Sequence, residues 1–133
     1  VVHYGKCCHP IPGDAITGKI NANRGVVVHQ SRCTVINNQE AKLLDLHWAA
    51  QPHGEFSVRV RATAQNRRGI FAQVAQAINS LHADIEHIET RELDANITEM
   101  DMVIGVQDRI HLARILRKIR IIGGIQKVLR VNQ

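Results

Sequence analysis

Apolar and polar positions follow two different rhythms along this chain. Over the first 50 residues the apolar runs are short and broken by turn-forming residues. Residues 15–20 and 25–29 read as strands, joined by Asn21-Ala22-Asn23-Arg24. Ser31 is placed to cap a brief helix carrying Cys33, Val35 and Ile36, and residues 43–48 read as a further strand. A polar stretch, Gln51-Pro52-His53-Gly54-Glu55, reads as a linker. Beyond it the periodicity is cleaner. Residues 56–62 alternate apolar and polar as a half-buried strand does, and Asn66-Arg67-Arg68-Gly69 is a turn. Ile70, Phe71, Val74, Ala75, Ile78 and Leu81 then share one helical face. Residues 83–89 form a strand in which Ile85 and Ile88 break strict alternation. Asp94-Ala95-Asn96 turns the chain into a strand over 97–106. Asp108 is placed to cap a second helix with a core stripe of Leu112, Ile115, Leu116 and Ile119; Gly123-Gly124 ends it before a last strand over 125–131. The order βαββαβ predicts an antiparallel sheet with both helices on one side, so the expected class is α+β: a small ββα-type module over 1–50, a linker over 51–55 and a ferredoxin-like domain over 56–133.

Composition narrows the classes. No run of apolar residues is long enough for a membrane-spanning helix, and no charged segment followed by an apolar one suggests a signal peptide. The chain begins Val-Val-His without methionine and is expected to be a piece of a longer protein. Three cysteines, two of them adjacent, are a poor basis for a secreted disulfide framework, which favours a reducing cytoplasm. The formal net charge is +5, and it is unevenly spread. Acids dominate from Asp84 to Asp108. From Arg109 onward there are only bases: Arg109, Arg114, Arg117, Lys118, Arg120, Lys127 and Arg130. The plain reading is solvated outer faces; the functional one is a docking surface for RNA or an acidic partner.

All three cysteines fall in or near one motif. Cys7-Cys8-His9-Pro10-Ile11-Pro12-Gly13-Asp14 is followed by His29 and Cys33, a His-x3-Cys pair. Cys7, Cys8, His29 and Cys33 make a Cys3His set, a closed donor field suited to tetrahedral structural zinc. A module of roughly 50 residues buries little apolar surface, and a bound ion would compensate because metal-binding free energy becomes folding free energy. Cys33 in the first turn of its helix would meet the positive dipole end. The difficulty is local: adjacent residues of a strand point to opposite faces, so Cys7 and Cys8 can both ligate only if the backbone turns. Otherwise one is a bystander, with His9 or water in its place, or all three are small buried apolar residues.

Two stretches make the chain resemble the C-terminal regulatory end of the RelA/SpoT family, nearest its SpoT branch. One is Tyr4-Gly5-Lys6 with the Cys-Cys-His-Pro-Ile-Pro-Gly-Asp motif, continuing through Gly25-Val26-Val27-Val28-His29 to Cys33. The other runs from Asp108-Arg109-Ile110-His111-Leu112-Ala113 through Leu116-Arg117-Lys118-Ile119-Arg120. The resemblance implies a RIS or zinc-finger-like module followed by an ACT domain without a cofactor of its own. It also implies a parent with hydrolase, synthetase and TGS domains upstream that makes and hydrolyses guanosine tetraphosphate in the stringent response. The fragment's implied role is allosteric: relaying ribosome, partner or nutrient signals to the catalytic domains.

Two further surfaces invite ligands. The turn Asn66, Arg67, Arg68, Gly69 and Ile70 presents backbone N–H groups suited to an amino-acid carboxylate, which would make the chain an amino-acid-sensing ACT homodimer. Many ACT domains have Asp-Arg-Pro-Gly here, and Asn66 lacks the charge to hold an ammonium. Arg114, Arg117, Lys118 and Arg120 could hold ribosomal RNA through phosphate contacts. Reading of bases on the sheet face is not expected, because residues 97–104 carry no aromatic and two acids. The eight histidines form no nucleophile–base–orienter set, so the fragment is expected to be non-catalytic.

Overall fold

The computed structural model describes residues 2–23, 25–37 and 42–132. Arg24 of the predicted turn lies outside the described residues, as do Val1, residues 38–41 and Gln133. The first half contains β1 (Val2–Tyr4), β2 (Ile16–Asn21), β3 (Gly25–Gln30), α1 (Thr34–Asn37) and β4 (Leu43–Leu46). These strands form a sheet in the order β1-β3-β2-β4. The module therefore holds more than the ββα predicted. β1 pairs parallel to β3, with Tyr4 opposite Val28, and β4 closes the other edge against β2. A three-residue strand has no periodicity of its own, so only its pairing reveals it.

The helix α1 starts two positions later than a cap at Ser31 implies. Ser31 does not cap it: its hydroxyl pairs with that of Thr17 at 2.8 Å. Cys33 stands immediately before the helix, where its N–H donates to the Gln30 carbonyl at 2.9 Å.

The second half contains β5 (Phe56–Gln65), α2 (Ile70–Ser80), β6 (Asp84–Glu92), β7 (Ile97–Val106), α3 (Arg109–Arg120) and β8 (Ile125–Val131). Its antiparallel sheet runs β6-β7-β5-β8. Alternation along β5 buries Phe56, Val58, Val60, Ala62 and Ala64 on one face. They pack with Ile70, Val74 and Ile78 of α2 and Leu112, Ile115 and Ile119 of α3 in one core. Asp108 caps α3 as expected, accepting the His111 N–H at 2.7 Å.

Two details depart from simple periodicity. The pairing of β6 with β7 shifts between Ile85 and His87, a bulge that brings both Ile85 and Ile88 against the core despite their spacing. Phe71 is 44 % exposed, because it lies at the margin of the α2 stripe and Ala77 takes the buried position instead.

The outer face of the second sheet neutralises itself. Glu99, only 8 % exposed, sits between Arg61 at 3.3 Å and Arg91 at 3.1 Å. Asp101 pairs with Arg61 at 2.8 Å, and this hydrogen bond raises the arginine's pKa. The two acids that argued against base stacking are thus already partnered.

The two modules are not strung on a loose linker. Ile11 of the first is fully buried in the core of the second. Trp48 stacks on Tyr4 and meets Phe56 edge-on, which spans the joint with three of the chain's four aromatic side chains.

Candidate metal centre

Residues 6–8 form a turn rather than a strand, closed by the His9 N–H donating to the Gly5 carbonyl at 2.9 Å. His9 itself adopts a left-handed φ of 45°. This curl lets neighbouring cysteines point the same way. Cys7 Sγ lies 3.9 Å from Cys8 Sγ and 3.6 Å from Cys33 Sγ. His29 Nδ1 is 3.3 Å from Cys7 Sγ and 3.7 Å from Cys8 Sγ. All four donor atoms lie within 4.8 Å of one another. A tetrahedral ion with metal–sulfur bonds of about 2.3 Å separates its sulfurs by about 3.8 Å and sulfur from nitrogen by about 3.5 Å. The observed spacings match such a shell and are far too long for a disulfide. His9 is not part of the gathering.

The surroundings favour an enclosed site. Cys8, His29 and Cys33 are buried and Cys7 is half-buried. The Gln30 N–H donates to Cys8 Sγ at 3.3 Å, and the Gln30 side-chain amide donates to the Cys8 carbonyl at 2.6 Å. Gly5 has a spatial reason: a Cβ there would stand 2.8 Å from His29 Nδ1, so any side chain would push the ring out of place.

Burial raises the pKa of Cys7 and, further, of Cys8. Burial also raises that of Cys33, but the Val35 N–H and the neighbouring thiols outweigh it, and the net shift is downward. Cys33 stands at the cap position rather than inside the helix, and the N–H groups of Val35 and Ile36 favour its thiolate. Burial, with Lys19 nearby, lowers the pKa of His29 and keeps its ring neutral. A neutral imidazole among crowded, desolvated thiols is a donor set that a divalent cation would stabilise by deprotonating the sulfurs.

The other candidate residues are dispersed or engaged. In the turn before α2, the Asn66 N–H donates to the Asn96 carbonyl at 2.7 Å and its side chain reaches Glu92 at 3.4 Å. Arg67 lies along the Gly123 carbonyl and Gln73. Ile70 is buried, Arg68 is exposed, and Gly69 caps α2 at φ 82° with no side-chain bond. Of the basic set on α3, Arg114, Arg117 and Arg120 are exposed and make no ion pair among the described residues. Lys118 turns aside to the Ser80 hydroxyl.

Sequence reasoning missed the residues that join the modules. The Asp14 carboxylate accepts both arms of the Arg130 guanidinium, at 2.9 and 2.7 Å, and the Ile11 N–H at 2.8 Å. Arg130 also donates to the His9 carbonyl at 2.9 Å. The Arg109 N–H donates to the Pro12 carbonyl at 2.9 Å, and the Trp48 indole to the Asp14 carbonyl at 3.0 Å. An acid after Pro-Gly and a basic residue in an edge strand carry no local signal of partnership.

With this geometry in view, the chain matches the RelA/SpoT RIS domain family over residues 1–49 and the ACT domain family over residues 52–130. It is 31 % identical, over 98 % of its length, to the bifunctional (p)ppGpp synthase/hydrolase SpoT of Escherichia coli K12, of which it spans 19 %. The bifunctional (p)ppGpp synthase/hydrolase RelA of Mycobacterium tuberculosis is 27 % identical over 96 % of the chain, which spans 18 % of it. The ACT domain of a GTP pyrophosphokinase from Chlorobium tepidum shares the fold of the second module, with a TM-score of 0.52 and 22 % identity, over 59 % of this chain and 100 % of that domain.

The depressed histidines set a pH dependence. Burial lowers the pKa of His29, and burial with Arg59 lowers that of His9, both below the ordinary 6.5. The unfolded chain then takes up protons that the folded one refuses, so stability falls as pH drops through 6.5 toward the folded values. The urea midpoint followed by Trp48 fluorescence should hold steady above about pH 7 and decline between about pH 6.5 and 5. A midpoint that rises on acidification would contradict this.

Proposed function

We propose, because this chain belongs to the RelA/SpoT family and carries its RIS module followed by an ACT domain, that it is the non-catalytic regulatory end of a bifunctional guanosine tetraphosphate hydrolase/synthetase. The observation that carries this reading is that similarity runs through both modules in order, across nearly the whole chain. The modules divide near residues 1–50 and 56–133, and the parent's hydrolase, synthetase and TGS domains precede them. The chain works in the cytoplasm of its cell, relaying ribosome, nutrient or partner signals to those domains. The isolated chain should turn over neither guanosine tetraphosphate nor GTP. Deleting it from the complete parent should change the ratio of synthesis to hydrolysis several-fold, whereas an unchanged ratio would remove the regulatory role.

Within that role Cys7, Cys8, His29 and Cys33 hold a structural zinc. Four protein donors close the tetrahedron and leave no open position for a substrate, which separates structural from catalytic zinc. Protein purified without chelator should contain about one zinc per chain by elemental analysis. Gly5→Ala, by displacing His29, should weaken zinc binding by about tenfold or more. Finding no zinc in the unaltered chain would defeat the assignment.

Contact with ribosomal RNA through α3 is a second reading, favoured by the unpaired exposure of Arg114, Arg117 and Arg120. Removing one of these arginines should reduce the salt slope of RNA binding by about 0.7–0.9. A slope unmoved by all three substitutions would remove this surface. The amino-acid-sensing dimer has less support. Asn66 and Arg67 are spent on internal bonds.

A further inference from the structure

One turn of the first module serves two sites. Cys7 and Cys8 supply two of the four gathered donors, while Ile11 to Asp14 are embedded against the second module. The segment between them is stiff. Pro10 and Pro12 have fixed φ, and the Asp14 N–H closes back on the Ile11 carbonyl at 3.0 Å. Gly13, at φ 103°, adopts a conformation that other residues resist, and a Cβ there would lie 2.9 Å from the Arg109 side chain.

Two separate paths run from the donors to the C-terminal end of the second module, one to β8 and one to the residue just past it. In the first, the carbonyl of His9, next to Cys8, accepts from Arg130, which also forks onto Asp14. In the second, Gln30, adjacent to His29, donates to the Cys8 carbonyl and reaches Asn132 at 3.3 Å. The sheet holds β1 to β4 of the first module, but the turn that carries Cys7 and Cys8 lies outside those ladders. Among the described residues that turn packs on a small buried apolar cluster of Cys8, Cys33 and Ile36, and two of these three are donors. Loss of the ion would release the curl of residues 5–9, and with it the alignment of His9 and Asp14 toward Arg130.

We infer that occupancy of the metal site controls the docking of the RIS module on the ACT domain, so that the ion and the inter-module joint are thermodynamically coupled. The inference rests on the zinc reading above and assigns that site a regulatory consequence. Coupling is reciprocal: whatever the ion adds to docking, docking adds to affinity for the ion. The device converts metal status in one module into the mobility of the next, which the upstream domains could sense.

The test uses the whole chain and zinc alone. Trp48 is the chain's single tryptophan and lies in the joint, and the Arg109 amide bonds across it. Stripping zinc with a chelator should shift Trp48 emission to the red and speed Arg109 amide exchange by about tenfold or more, as local opening does. Amides of Val60 and Ile104, in the ACT core, should stay protected, showing that this domain remains folded. Cys33→Ser should reproduce the change without chelator. In the reverse direction Arg130→Gln, or Asp14→Asn if the first variant misfolds, should weaken zinc affinity about fivefold or more. Zinc that binds and leaves without moving Trp48 or Arg109, or joint variants that hold zinc as tightly as the unaltered chain, would overturn the coupling alone. A chain that binds no zinc would overturn the metal reading and the coupling together.

Discussion

The carboxylate of Asp14 is the point on which the arrangement of the two modules turns. Its side chain is only 6 % exposed, so its charge is largely withdrawn from water. That cost is met by the Arg130 fork, the strong bidentate geometry for this pair, and by the Ile11 N–H. Removing one member of such a pair typically costs about 3–5 kcal/mol, because the other charge is left buried alone. The pair positions the Pro-Ile-Pro turn, and the turn places Ile11 in the ACT core and the Asp14 carbonyl under the Trp48 indole. The small module gains there the burial it cannot generate by itself.

Charge is handled differently on the two outer faces of the ACT domain. On the outer face of the ACT sheet Arg61 and Arg91 are spent on Glu99 and Asp101. That face is therefore both non-aromatic and electrostatically satisfied, unlike a sheet that stacks single-stranded RNA. The outer side of α3 keeps Arg114, Arg117 and Arg120 in solvent, with Ile110 66 % exposed beside them. The basic residues of its last turn also complement the helix dipole, so their presence has a structural reason alongside any docking role.

The legible parts of the fold were those with local causes. β7 and β8 begin and end where their apolar runs do, and Asp108 caps α3 because its side chain reaches an N–H three residues on. The irregular spacing of Ile85 and Ile88 was visible in the chain, but its resolution needed the partner strand, where a bulge resets the register. Phe71 was misplaced because an 11-residue helix gives its stripe a margin, and neighbouring elements decide which marginal residue is covered. β1 is too short to announce itself and exists through its parallel pairing with β3.

The same division holds at the candidate site. Residue types and spacing alone determined the Cys3His donor set and the expectation of βαββαβ, since both depend on chemistry and periodicity over short stretches. Whether Cys7 and Cys8 could face one point was decided only by the folded turn, closed by Gly5 and His9 and by a histidine ring that needs the space Gly5 leaves. The joint was decided only there too. Asp14 and Arg130 stand 116 positions apart, and nothing local distinguishes either from a solvated surface charge until both modules bring them together out of water.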